Sequence, residues 1–226
     1  MDVLQLQRKI RDLKIFSVES NLVLPQVLLL TEHDPVYTAG RRESSRISDV
    51  QVVHVERGGQ TTFHCPGQLV CYPILNLGDL RKDLRWYVHS LEQIVIDSIA
   101  EFNVSGARHP AHPGVWVGKN KIAAIGASFR KWITMHGTAV NVDCDTSGFS
   151  KIIPCGIEDP ELGVVKLEEF IPDIQVQTVE KAFLKHFQKH FQLNLELQDL
   201  QDFSLFLSEN QKKQLDFLAS DSHELL

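Results

Sequence analysis

The chain has 226 residues, 43% of them apolar and 23% charged, and a formal net charge of −6. Such proportions are those of an ordinary globular protein and exclude collagen, wholesale disorder and a disulfide-stapled miniprotein. The acidic balance argues against a general nucleic-acid binder, which needs a basic face to neutralise phosphates. Most of it lies at one end: residues 197–226 hold Asp199, Asp202, Glu209, Asp216, Asp221 and Glu224 against Lys212 and Lys213.

In chain order, residues 1–16 read as a docked amphipathic helix, with Leu4, Ile10, Leu13 and Phe16 near one face. Asp2 and Asp12 make that stretch a poor targeting presequence. Residues 25–31 read as a buried strand, ended by His33-Asp34-Pro35. Their apolar run (Val27, Leu28, Leu29, Leu30) falls far short of the roughly 20 residues that span a bilayer. Residues 50–55 and 69–75 read as two more strands. Residues 83–102 form the clearest helix, because Leu84, Val88, Leu91, Val95, Ile99 and Phe102 keep a sustained 3.6-residue stripe. Residues 115–117 and 122–129 read as a hairpin turned by Gly118-Lys119-Asn120. A further extended stretch at 133–142 and an amphipathic helix at 179–191 complete the body. Several strands are joined too tightly for parallel crossovers, so the expected class is α/β of the α+β type, a mixed central sheet flanked by helices. No linker interrupts 1–196, which reads as one catalytic domain. Residues 197–226 read as an acidic, helical C-terminal extension. The four cysteines, Cys65, Cys71, Cys144 and Cys155, form no C-x-x-C pair and no disulfide framework, which favours a reducing compartment and offers no zinc site.

Four segments carry residues that packing alone does not choose. Arg57 to Gln68 (RGGQTTFHCPGQ) is glycine-rich, so its backbone N–H groups could cradle a ligand, or it is a plain surface loop. In GVWVGKNKIAAIG at 114–126, small residues follow Lys121; on spacing alone a lysine after a turn reads as solvated. In HGTAVN at 136–141, a lone strand histidine reads as a hydrogen-bonded structural residue. In IIPCGI at 152–157, the Pro-Cys-Gly turn leaves a nucleophile and an inert buried thiol both open.

Together with DPVYTAG at 34–40, these motifs resemble the octanoyltransferases, or lipoyl(octanoyl) transferases, of protein lipoylation. The resemblance covers about residues 1–195. It implies a biotin/lipoate protein ligase fold and transfer of an octanoyl group from acyl carrier protein to a specific lysine of a lipoyl domain. The acceptors implied are the 2-oxoacid dehydrogenase E2 subunits and the glycine cleavage H protein. By the resemblance, Cys155 carries the thioester and Lys121 pairs with it. Substrate contacts fall on Arg57, Gly58, Gly59, Gln60, Thr61, Thr62, Phe63, His64, Ala124, Ile125, Gly126, Gly137, Thr138 and Ala139, with His136 in support. Small residues at 124, 126, 137 and 139 suit an apolar tunnel. No metal or other cofactor is expected, because the donor thioester is already activated. The resemblance suggests a eukaryotic, mitochondrial-type member, or a cytoplasmic enzyme if the source is bacterial. An ATP-dependent lipoate or biotin ligase, an octanoyl amidotransferase and an inert lipoyl-domain binding module are the competing readings. One departure stands out: the family's H-G-P-G loop reads His64-Cys65-Pro66-Gly67 here. Pro66 favours an extended, unstrained Cys65.

Overall fold

The computed structural model describes residues 2–41, 50–152 and 159–196. The nucleophile candidate Cys155 and the extension 197–226 lie outside the described residues. Helix α1 (Val3–Glu19) starts on Asp2, whose carboxylate accepts the Leu4 N–H, the expected N-cap chemistry. Strands β1 (Val27–Thr31), β2 (Val36–Ala39), β3 (Val52–His54), β4 (Thr62–His64) and β5 (Gln68–Ile74) follow, then α2 (Leu84–Ala100), capped by Asp83 on the Trp86 N–H. The second half contains β6 (Ala107–Arg108), β7 (Val115–Val117), β8 (Asn120–Arg130), β9 (Ile133–Asn141), β10 (Gly163–Val164) and α3 (Val176–Phe191).

The main sheet runs β1-β5-β9-β8-β7-β6, antiparallel throughout. Where β9 has left off, β10 joins β8 in parallel at Asn120–Lys121. A second small sheet, β3-β2-β4, carries the glycine-rich loop. The mixed α+β expectation therefore holds. The β7–β8 turn is tighter than expected, two residues, because Asn120 already pairs with Val117. Both β2 and β4 fall in stretches that read as loop.

Alternation along β5 places α1 on one face of the sheet and α2 with α3 on the other. Ile74 packs with Ile10 and Ile15 of α1 and with Ile133. Leu69 and Cys71 belong to the larger core with Leu91, Val95 and Ile99 of α2 and Phe183 and Phe187 of α3. A third, small cluster of Phe63, Cys65, Cys144 and Phe149 joins the small sheet to the turn Thr146–Lys151. The open space between the small sheet and β8–β9 is the site.

Candidate active site

A single extra residue decides where Lys121 points. Val115 pairs with Ala123, but Trp116 pairs with Lys121, so Ile122 bulges from β8. A bulge turns two successive side chains to the same face. Ile122 and Ala123 accordingly both enter the main core, and Lys121 and Ala124 both line a cavity of about 920 Å³. Without the bulge, Lys121 would share the core-facing side with Ala123. Lys121 is only 5% exposed, so the solvated reading of this lysine is corrected. Gly114, at φ +125°, makes room for it: a Cβ there would lie 2.5 Å from the Ala123 carbonyl and 3.4 Å from Lys121 Cε. The ammonium lies over the Trp116 ring. Trp116 is itself held by its indole N–H on the His112 carbonyl, 3.2 Å away.

The Ala124 and Ala139 methyl groups, cross-strand partners, give the cavity an apolar floor. The two glycines thought to serve the same end do something else. A Cβ on Gly137 would sit 2.2 Å from the Cys71 carbonyl, and one on Gly126 would sit 2.8 Å from Arg57 Cδ. Their smallness admits protein atoms: the β5 backbone in one case, the Arg57 side chain in the other.

Arg57 is buried and turned inward. Its Nη2 donates to the Thr38 carbonyl at 2.6 Å and hydroxyl at 3.0 Å, and its Nη1 donates to the Gln60 carbonyl at 2.7 Å. The cation thus shapes the glycine-rich loop, and the Gly58 N–H fastens the loop to the Ala127 carbonyl. Gly58, Gly59, Gln60, Thr62 and His64 line the cavity. Thr61 and Phe63 do not; Phe63 turns into the small core, edge-on to Phe149.

His64 and His136 occupy different surroundings. His64 Nδ1 meets Gln68 Oε1 at 2.7 Å, and burial pushes its pKa down to about 3. His136 has φ +61° in the middle of β9. The β5–β9 ladder stops at Cys71↔Thr138, next to Pro73, which has no N–H to give. The freed His136 N–H is taken up by Gln7 Oε1 of α1 at 2.9 Å. Burial, and then the nearby Arg57, lower the His136 pKa to about 4. Its Nε2 makes no hydrogen bond and lies 3.9 Å from Glu56 Oε2, which is also unpartnered. Arg8 holds the other Glu56 oxygen at 2.8 Å.

Ile125, Gly126, Gly137, Thr138 and Ala139 line the cavity. Sequence reasoning missed Gln7, Thr38, Tyr72 and Trp116. The last stood in a quoted motif beside Lys121, and the first belongs to a helix with no chemical signature. Among the described residues no group of three or more His, Cys, Asp or Glu is arranged to hold a metal ion, and no helix is long and apolar enough to cross a membrane.

A family model described as the lipoyl protein ligase A/B catalytic domain matches residues 14–188. An octanoyltransferase of Nostoc punctiforme is 46% identical over 187 residues, 80% of each chain. One of Clostridium kluyveri is 37% identical over 218 residues, 92% of this chain and 90% of that one. A solved lipoate-protein ligase A bound with ATP shares the fold at TM-score 0.66 and 14% identity, over 92% of this chain and 87% of the other. A solved structure from the structural analysis of a bi-partite lipoate protein ligase and its E2 lipoyl domain from Thermoplasma acidophilum does so at TM-score 0.64 and 14% identity, over 92% of this chain and 86% of the other. The octanoyltransferases are bacterial, so they lend no support to a eukaryotic, mitochondrial-type member.

Proposed function

The chain belongs to the lipoyl protein ligase A/B catalytic-domain family, as an acyltransferase with the octanoyltransferases among its relatives, and on that premise we propose that it moves an octanoyl group from acyl carrier protein to a lysine of a lipoyl domain. The observation that carries the reading is the Lys121 ammonium, turned by a β-bulge into a cavity floored by Ala124 and Ala139. An apolar chain gains about 0.8 kcal/mol per buried CH₂, so such a floor favours a medium-chain acyl group.

The first step is a thioester exchange. The Cys155 thiolate attacks the acyl carbonyl, the carrier thiolate leaves, and a proton returns to it. In the second, the acceptor lysine's neutral amine attacks the Cys155 thioester, the thiolate leaves, and the amine's surplus proton departs to a base. An ordinary thiol is only a few per cent ionised at neutral pH, so a neighbouring ammonium that stabilises the thiolate speeds the first step. The chain supports this pairing from its described flanks: after residue 158 it reaches β8 where Gly163 and Val164 pair with Asn120 and Lys121. The fixed backbone donors of the glycine-rich loop are candidates for the developing oxyanion. The acceptors are lipoyl domains of the 2-oxoacid dehydrogenase E2 or glycine cleavage H type.

Incubation with octanoyl-acyl carrier protein followed by intact-mass measurement tests the reading. A single octanoyl adduct, lost in Cys155→Ser and slowed in Lys121→Ala, is the expected result. No adduct, with adenylate formed from ATP and lipoate instead, would make the chain a ligase.

A further inference from the structure

His64 heads a file of buried polar groups that leads to the strand of Lys121. His64 Nδ1 is 2.7 Å from Gln68 Oε1; Gln68 Nε2 donates to Asn141 Oδ1 at 2.8 Å; Asn141 Nδ2 donates to the Val165 carbonyl at 3.0 Å. The Val165 N–H then donates to the Lys121 carbonyl at 3.1 Å. His64, Gln68 and Asn141 are 8%, 1% and 4% exposed, so water does not compete for these groups.

The direction of every bond follows from the far end. The Val165 carbonyl only accepts, so Asn141 must turn its NH₂ to it and its oxygen to Gln68. Gln68 must then turn its NH₂ to that oxygen, and this group also faces the Phe63 carbonyl at 3.4 Å. The remaining Gln68 oxygen faces His64 and needs a donor. Only a proton on Nδ1 meets that need. Nε2 is left facing Thr38 Oγ1 at 3.4 Å, a long contact that a better donor displaces. Thr38 and His64 both line the cavity.

We propose that Gln68 and Asn141 are positioning residues that hold His64 as its Nδ1–H tautomer, so that the Nε2 lone pair faces the cavity as an acceptor for an N–H of the substrate. Under the octanoyl-transfer reading, on which this identification of the donor rests, that N–H belongs to the acceptor lysine's amine. The opposite tautomer would present an N–H, which would bind the neutral amine's lone pair and withhold it from attack. Burial, helped by the nearby His33 and Arg57, outweighs the Gln68 bond, which favours the charged ring, and keeps the ring uncharged, the state in which Nε2 accepts. Hydrogen bonds all running one way also reinforce one another in a dry interior. The file therefore ties the ring to the backbone that carries Lys121.

Full-length chain labelled with ¹⁵N-histidine tests the assignment, because two-bond ¹H–¹⁵N correlations show which ring nitrogen carries the proton. At neutral pH the His64 ring is expected to carry it on Nδ1 alone. Gln68→Met keeps the volume but removes the acceptor; the proton should shift to Nε2, and kcat for lipoyl-domain acylation should fall about tenfold, the weight of one hydrogen bond, with KM for the carrier unchanged. Gln68→Glu restores an acceptor oxygen and should restore the Nδ1–H signal, which keeps the test decisive if Gln68→Met fails to fold. An Nε2–H or doubly protonated ring in the wild type overturns the proposal, as does a Gln68→Met enzyme with unchanged tautomer and kcat. A wild-type chain that transfers no octanoyl at all would instead sink the activity reading while the spectrum still decides the tautomer.

Discussion

The Lys121 ammonium lies 5.1 Å from the centroid of the Trp116 ring. A cation over an indole face is attracted by the ring's quadrupole, by about 0.5–2 kcal/mol depending on how dry the site is. Both groups are buried, which places this pair toward the stronger end. Trp116 also packs against His109, with ring centroids 4.9 Å apart and planes tilted by 37°, so the indole plane is fixed from outside the cavity. Trp116→Leu removes the π face and is expected to slow octanoylation of Cys155 by roughly 3–30-fold. Trp116→Phe keeps a face, loses only the N–H bond to His112, and should fall between. Timed intact-mass measurement gives the rates, with melting temperature as the folding control. A leucine variant that folds and acylates at the wild-type rate would show that the ring does not place the lysine.

Much of this architecture was legible in the sequence. The stripe from Leu84 to Phe102 gave the helix, because a packed amphipathic helix writes its period into the chain, and the apolar runs on either side of Gly118-Lys119-Asn120 gave the β7–β8 hairpin. Strands β2 and β4 were not legible, being only four and three residues long and set among glycine, proline and histidine that read as loop. Lys121 is the sharper case. The motif marked it, yet spacing alone gave a solvated lysine, because its burial depends on a bulge at Ile122 that carries no residue signature. The reason for Gly137 was likewise invisible, since the backbone it accommodates comes from β5, far away in the chain.

Gly137→Ala is therefore expected to damage the fold rather than narrow an acyl tunnel. The added methyl would stand 2.2 Å from the Cys71 carbonyl and 2.5 Å from Pro73 Cδ, and neither is the far end of a flexible side chain. Overpacking of this kind costs about 1–3 kcal/mol. The melting temperature should drop by several degrees, while any enzyme that remains folded keeps its preference for chain length. A variant with an unchanged melting temperature and a shortened acyl preference would return Gly137 to the tunnel.

Acid should destabilise the protein through His64 and His136, whose folded pKa values are lowered to about 3 and about 4 from an ordinary 6.5. Below pH 6.5 the unfolded chain takes up protons that the folded one refuses, so stability falls with pH until the folded values are reached. Glu56, held below the usual carboxylate range by Arg8 despite opposing burial, acts in the same sense at the lower end. Denaturant unfolding between pH 7 and pH 4 should show this decline, and His136→Gln should make it shallower. An identical slope in the variant would mean that His136 titrates normally.

Lys14 predicts a change at the alkaline end. It is 2% exposed, its Nζ donates to Gln26 Oε1 at 3.2 Å, and burial lowers its pKa to about 8 from 10.5. The unfolded chain holds this proton more tightly, so its penalty is full below pH 8 and is relieved as the pH rises toward 10.5. Lys14→Met should therefore raise stability at pH 7, in line with apolar replacement of buried charges. A less stable variant would show that the Gln26 bond outweighs burial.

Cys65→Gly tests the departure from the family's H-G-P-G loop. Positive φ among the described non-glycine residues occurs at Asn21, Asn103, Lys131, Trp132, His136, Asp173 and Gln192, and Cys65 is not among them. Cysteine is thus unstrained, as Pro66 favours, and glycine has no strain to relieve. The side chain is also in use: it packs with Phe63, Cys144 and Phe149, and its thiol lies 3.6 Å from the Asp145 carbonyl. Glycine is expected to cost about 0.4–1 kcal/mol in added freedom of the unfolded chain, with the lost packing on top, and to lower the melting temperature without abolishing transfer. The same geometry redirects any oxidation of this loop. The Cys65 thiol meets that of Cys144, and their contact lowers the one and raises the other. Mild peroxide should join these two, two thiols and one peroxide giving a disulfide and two waters, and peptide mapping should return Cys65 linked to Cys144. A Cys65–Cys155 link would show Cys155 to be the nearer thiol, and a higher melting temperature for Cys65→Gly would show the loop to be strained.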